Sequence, residues 1–226
     1  MKKKLIYALS LVLALGTSGC DFADFGDTNV DPSVTTDPNT AALLTNSLAG
    51  LAGGWVTDRR PGYYAQYFTE SQYPGVSLYS LPQLGFSGSY SGSLYDLQNI
   101  INLGASNNMT QVSKIVQQYI FWNLTDRFGD IPYTEALQGQ GLPSPKYDTQ
   151  EVVYKGMIKA LTDAVAAMDG SAINGDIIYG GSPASWKRMA NSLRMLMAVQ
   201  LSKKYPGAAD YAATQFKAAL ADAGGY

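Results

Sequence analysis

Few side chains in this sequence are suited to nucleophilic or acid–base chemistry. The 226 residues include no histidine and a single cysteine, Cys20. The lack of histidine excludes a histidine-based triad, an imidazole base near neutral pH and histidine ligation of zinc or haem. One cysteine excludes an internal disulfide and any metal site that needs several thiolates. We therefore expect neither a cofactor nor a metal, and carboxylates are the main remaining candidates for catalysis.

Two of these carboxylates, Asp126 and Asp130, lie close together in the sequence near the end of a predicted helix. Such a pair could supply the acid and the base of glycoside hydrolysis. Arg127 lies between them, and a helix end favours salt-bridge and capping roles instead. We therefore expect a protein that is not an enzyme and has no catalytic residue. A surface glycosidase or peptidase that uses carboxylates is the alternative.

The composition favours binding over catalysis. Aromatic residues make up 12% of the chain, and charged residues only 15%, against about 25% in an average soluble protein. Aromatic faces stack on the apolar faces of sugar rings, so aromatics outside the helix cores are candidate ligand contacts. The alternative for each is an aromatic that holds its loop on the body. The candidates, on the predicted loops 52–60 and 73–92, are Trp55, Tyr73, Tyr79, Phe86 and Tyr90.

Residues 1–19 predict a secretory signal peptide. Residues 2–4 are all lysine, and residues 5–15 form an apolar run that at 1.5 Å per residue covers about half of a bilayer core. The small residues before Cys20 resemble a bacterial lipobox, which would leave Cys20 as a lipidated N-terminus. The alternative is a plain signal with a chance cysteine. Residues 20–38 are acidic and poor in large apolar groups, which predicts a flexible tether.

Residues 39–226 predict a helical domain. Apolar residues recur with a helical period at about 110–128, 149–168 and 183–201, and glycine, proline and serine separate these segments. No long alternating strand pattern is present, although 176–179 is a candidate extended segment. Trp122 and Trp186 are expected in the core, and Tyr67 is expected to pack between helices. A net charge of −2 offers no basic face for nucleic acid.

Residues 123–137, NLTDRFGDIPYTEAL, strongly resemble a segment of the SusD/RagB family, the nutrient-capturing surface lipoproteins of Bacteroidetes. Further similar blocks follow in order at 145–150, 175–181 and 186–194, and another precedes them at 64–68. The closest resemblance is to the branch called SusD-like, or starch-binding-associated. The physical interpretation of the 123–137 block is structural: Gly129 caps a helix, and Pro132 prevents helix through the residue before it.

The resemblance implies an all-α fold of antiparallel, tetratricopeptide-like helix pairs with long irregular loops and little or no sheet. It also implies capture of glycans, or in some cases peptides, without cleavage. The ligand would be delivered to a TonB-dependent (SusC-like) transporter from a lipid-anchored position outside the outer membrane. A structural partner of the transporter without a ligand is a further alternative. Family chains run to about twice this length, so we expect the N-terminal part of a longer receptor, truncated at its C-terminus.

Overall fold

The computed structural model describes residues 37–51, 60–79 and 85–226, and the helical unit comprises Asn39–Tyr226. The predicted signal peptide, Cys20 and nearly all of the predicted tether lie outside the described residues, as does Trp55. Short 3-10 helices occupy Pro74–Val76 and Gly139–Gly141. The α-helices in the described ranges are α1 Thr40–Leu51, α2 Arg60–Tyr64, α3 Ser87–Ser91, α4 Ser93–Leu103, α5 Asn107–Phe128, α6 Gln150–Ala167, α7 Pro183–Leu201 and α8 Tyr211–Leu220. The predicted all-α fold is confirmed.

Neighbouring long helices are antiparallel. At the start of α5, Asn107 Nδ2 donates to the carbonyl of Ala167 at the end of α6, over 2.7 Å. At the other end of this pair, Trp122 Nε1 lies 3.1 Å from the Tyr154 hydroxyl near the start of α6. The same hydroxyl lies 2.8 Å from Gln200 Oε1 at the end of α7. The predicted antiparallel helix pairs are therefore present.

Side-chain caps set where the long helices begin. Asn39 Oδ1 accepts from two backbone N–H groups in the first turn of α1. Ser106, Thr149 and Ser182 each accept from a backbone N–H three residues on, at the starts of α5, α6 and α7. Such caps satisfy the N–H groups that have no partner within the helix. The sequence at Asp148 and Glu151 is also compatible with a capping box, but Thr149 provides the cap of α6.

The core is formed mainly by apolar side chains of α4 to α7. Val112, Ile115 and Val116 of α5 are fully buried, and Trp186 of α7 is buried as predicted. Trp122 is only half-buried, and its Nε1 donates to Gln200 Oε1 over 2.6 Å, so it lies at the edge of the core. No helix within the described ranges is long and apolar enough to cross a membrane.

Two local predictions differ from the structure. The short helix α2 ends at Tyr64, and Tyr67, expected to pack between helices, is 85% exposed. Residues 176–179 form bends rather than a strand. There Asp176 accepts from the backbone N–H groups of residues 178, 179 and 181 and from Trp186 Nε1. A buried tryptophan and one carboxylate therefore organise this turn.

Candidate functional site

A groove of about 770 Å³ lies between the α3–α4 region and the segment that links α5 to α6. Its size falls within the range of about 300–1,000 Å³ typical of small-molecule sites. The lining residues, taken from the described part of the chain, carry no charge. They are Phe86, Ser87, Tyr90, Ser91, Tyr95, Pro132, Leu137, Gln138, Gly139, Leu142, Pro143, Ser144, Pro145 and Tyr147.

One wall of the groove is formed by Phe86 and Tyr90, two of the predicted ligand contacts. The Phe86 ring lies 4.9 Å from that of Phe128 and 5.9 Å from that of Tyr90, between centroids. The Tyr90 hydroxyl donates to the carbonyl of Pro132 over 2.6 Å. Burial, with the nearby charges of Tyr147 and Asp148, raises the pKa of Tyr90. Tyr90 is therefore a neutral donor whose O–H group fixes its ring at the groove.

The opposite wall depends on how the chain leaves α5. Gly129 ends that helix with φ of 77° and ψ of −119°, a conformation that other residues rarely adopt. The Thr125 hydroxyl donates to the carbonyl of Gly129 over 2.7 Å. Ile131 and Asp148 then form an isolated antiparallel bridge, with N–O distances of 3.3 and 2.9 Å. The predicted helix cap at Gly129 is confirmed, and the bridge joins the two ends of the segment that runs from Ile131 to Asp148.

The side chain of Asp148 stabilises the segment between Ile131 and Asp148 through hydrogen bonds. Its carboxylate accepts from the backbone N–H of Thr134 at 2.6 Å, from that of Tyr133 at 3.3 Å and from the Thr134 hydroxyl at 2.8 Å. Burial alone would raise the pKa of this carboxyl, but the bonds from Thr134 and Tyr133 and the charge of Lys146 outweigh it and lower that pKa. Asp148 is therefore an ionised structural residue and does not line the groove.

Two tyrosines that were not predicted as ligand contacts line the groove with much of their surface exposed. Tyr147 is 62% exposed, and Tyr95 is 41% exposed. The Tyr147 ring lies edge-on to Phe86, with centroids 6.2 Å apart. Tyr95 lies in α4, and the predicted ligand contacts are restricted to aromatics outside the helix cores. For Tyr147 a usable signal was its place between the charged residues Lys146 and Asp148, because alternation puts neighbours on opposite sides of an extended segment.

Tyr73 and Tyr79, two other predicted ligand contacts, are not among the residues that line the groove with Phe86 and Tyr90. Tyr73 and Tyr79 are 65% and 60% exposed, and neither lines the groove within the described ranges. The Tyr79 hydroxyl donates to the carbonyl of Tyr64 over 2.5 Å, and their rings are 5.2 Å apart. Tyr73 and Tyr79 are therefore exposed aromatics within residues 60–79 that do not line the groove. Trp55 remains a prediction outside the described residues.

The carboxylates considered for catalysis have structural partners. Asp126 accepts from the Tyr154 hydroxyl at 2.5 Å and from Gln200 Nε2 at 3.0 Å, which joins α5, α6 and α7. Asp130 Oδ1 accepts from the backbone N–H of Gln150 at 3.0 Å, in the first turn of α6. Neither carboxylate lines the groove. The geometry is that of a helical scaffold with an uncharged groove whose wall is aromatic.

Comparison with known proteins identifies the kind of scaffold. The model of the SusD-like family, described as starch-binding associating with outer membrane, matches residues 32–225. The chain belongs to this family. No curated protein matches the sequence.

Solved structures share the fold. A chitin-binding protein is 26% identical with a TM-score of 0.67, over 83% of this chain and 43% of its own. A SusD-like protein of Bacteroidetes is 29% identical with a TM-score of 0.61, over 81% and 37%. A SusD homologue of Bacteroides fragilis is 28% identical with a TM-score of 0.66, over 82% and 41%. The chain thus spans about two fifths of the length of these relatives.

Proposed function

We propose that this chain captures glycans at the cell surface for nutrient uptake and delivers them, without cleaving them, to a TonB-dependent, SusC-like transporter. Membership of a starch-binding, outer-membrane family supports the ligand class, as does the chitin-binding relative with the same fold. The observation that carries the proposal is the groove, where Tyr95 and Tyr147 expose their aromatic surfaces above Phe86 and Tyr90.

The groove offers both kinds of contact that a sugar needs. The C–H groups of a pyranose face pack against an aromatic ring, and we assign this role to Tyr95 and Tyr147. Hydroxyl groups of the ring need hydrogen-bond partners, and Ser87, Gln138 and Ser144 line the same groove. We propose Phe86 and Tyr90 as the wall that supports these contacts.

Exposed aromatic side chains within residues 60–79 are further proposed ligand contacts. Tyr73 and Tyr79 present large aromatic areas to solvent, and we retain both as ligand-binding residues together with Trp55. An extended glycan chain can contact more than one aromatic surface, which raises the total affinity without any single strong contact.

Membrane attachment and the transporter partner belong to the same proposal. We assign residues 1–19 to a signal peptide, Cys20 to lipidation, residues 20–38 to a tether and residues 39–226 to the SusD-like helical domain. The lipid would anchor the protein to the outer membrane, with the groove facing the cell exterior. Burial of the acyl chains in the bilayer would drive this attachment.

Calorimetric titration of the full chain with a panel of glycans and peptides tests the proposal, with reducing ends measured after incubation. We expect saturable heat with at least one glycan and no new reducing ends. New reducing ends would instead support the glycosidase, and binding of peptides alone would support peptide capture. Silence across the panel, with the transporter still recovered alongside the chain from native membranes, would support a purely structural partner.

A further inference from the structure

The groove has a charge pattern that bears on which glycans it accepts. We infer, resting on the proposed function, that it selects uncharged oligosaccharides over carboxylated or sulfated ones. Its lining residues are aromatic, aliphatic, proline, glycine, serine and glutamine. Charged side chains do occur beside it in the sequence, at positions 135, 146 and 148. In the structure Lys146 pairs with Glu135, and Asp148 accepts hydrogen bonds from the Tyr133–Thr134 turn. None of these three side chains lines the groove.

The segment 145–148 places its apolar and charged side chains on opposite sides. Pro145 and Tyr147 line the groove, whereas Lys146 and Asp148 do not. Asp148 is buried and accepts three hydrogen bonds from the Tyr133–Thr134 turn. Its bridge to Ile131 fixes the register of this segment, and that register determines which side chains face the ligand.

Lys146 is the cation nearest to the groove in the sequence, and it is already neutralised. Its Nζ lies 3.1 Å from Glu135 Oε1, and its backbone N–H donates to Glu135 Oε2 at 3.1 Å. The hydrogen bonds from Lys146 lower the pKa of Glu135, and the pairing raises the pKa of Lys146. Both groups therefore stay charged and paired with each other, and among the described residues that line the groove none carries a positive charge to pair with an acidic sugar.

An acidic sugar would lose hydration in this groove without gaining a partner. Desolvation of an unpaired carboxylate or sulfate is unfavourable, and aromatic faces repel anions because their π-systems are negative. A neutral sugar loses only hydroxyl hydration, which serine, glutamine and backbone groups can replace. The volume of about 770 Å³ suits a ligand of drug size, that is about two or three sugar rings.

The test compares matched neutral and acidic oligosaccharides on the full chain. Maltotetraose and chitotetraose serve as neutral probes, and each is paired with a counterpart in which the C6 hydroxymethyl groups are oxidised to carboxylates. We expect at least one neutral probe to bind at least tenfold more tightly than its carboxylated counterpart. Tyr147→Ala should weaken neutral binding at least tenfold, whereas the adjacent Lys146→Ala should change it less than twofold.

A gain-of-function variant separates charge selection from loss of folding. Ser144→Lys adds a cation to the lining, and it should narrow or reverse the preference for the neutral probe. Equal or tighter binding of the acidic probe by the wild-type chain would overturn the inference and leave glycan capture intact. Neutral binding that Tyr147→Ala does not change would place the ligand elsewhere and also overturn it. Failure of every probe to bind would contradict the proposed function as well.

Discussion

Replacing Asp148 with asparagine tests whether one buried carboxylate holds the groove wall. Asp148 Oδ2 accepts from two backbone N–H groups and one hydroxyl. The amide oxygen of asparagine could accept from the same donors, but without the negative charge that strengthens these bonds. A hydrogen bond to a charged group contributes about 1.5–3 kcal/mol, against about 1 kcal/mol for a neutral one, so we expect Asp148→Asn to lower the free energy of unfolding by about 2 kcal/mol.

Thermal unfolding followed by circular dichroism measures this loss. For a domain of this size, about 2 kcal/mol corresponds to a Tm lower by about 4–8 °C at pH 7. The control is Asp163→Asn, because Asp163 pairs with Lys159 on the exposed surface of α6. An exposed pair of this kind contributes about 0.5 kcal/mol or less. Both variants remove one negative charge, so the comparison isolates burial and hydrogen bonding.

The pH dependence gives this prediction a second, independent test. The pKa of Asp148 is lowered in the folded chain, so its ionised form contributes stability above the unfolded pKa of about 3.9. That contribution is lost as pH falls through the folded pKa. The gap in Tm between wild type and Asp148→Asn should be full at pH 7 and shrink below about pH 4. An equal Tm at pH 7, or a gap that widens in acid, would refute the assigned role.

Other predictions concern the helix junctions and the anchor. A Cβ at Gly156 would lie 2.4 Å from the Tyr133 ring. We expect Gly156→Ala to destabilise the chain, because overpacking costs about 1–3 kcal/mol and the gain in helix propensity is about 1 kcal/mol. Greater resistance of this variant than wild type to urea would count against this packing. Gly129→Val should cost about 1–3 kcal/mol because of the positive φ, and an unchanged melting curve would contradict it. Cys20→Ala should release the protein from membranes, and detergent-free recovery of soluble wild type would argue against lipidation.

The helices and the junction between α5 and α6 could be predicted because their signals are local. A helical period marks α5 to α7, and the serine or threonine before each of them is a cap that acts within one turn. Gly129 permits the positive φ at the end of α5, and Pro132 keeps the residue before it out of a helix, so the end of α5 could be predicted from the sequence. The role of Asp148 could not be predicted, because both Asp148 and Thr149 are residue types that cap helices, and their roles are separated only by the bridge between Asp148 and Ile131.

The groove could be predicted only in part because its walls are distant in sequence. Phe86 and Tyr90 were identified as aromatics on a predicted loop, although Phe86 precedes the short helix α3 and Tyr90 lies within it. Tyr95 and Tyr147 become partners of that wall only when the 129–149 segment folds back against α3 and α4. The exposure of Tyr67 was missed for the same reason, since an aromatic residue in a helical pattern does not reveal whether a neighbouring element covers it.

A crystal structure of the full chain with a bound neutral oligosaccharide would test the central claim most directly. The account predicts sugar rings in the groove, with a pyranose face against Tyr147 or Tyr95 and ring hydroxyls near Ser87, Gln138 or Ser144. Oligosaccharide bound only elsewhere on the chain, with the groove empty at saturating ligand, would contradict the assignment of this groove as the glycan site.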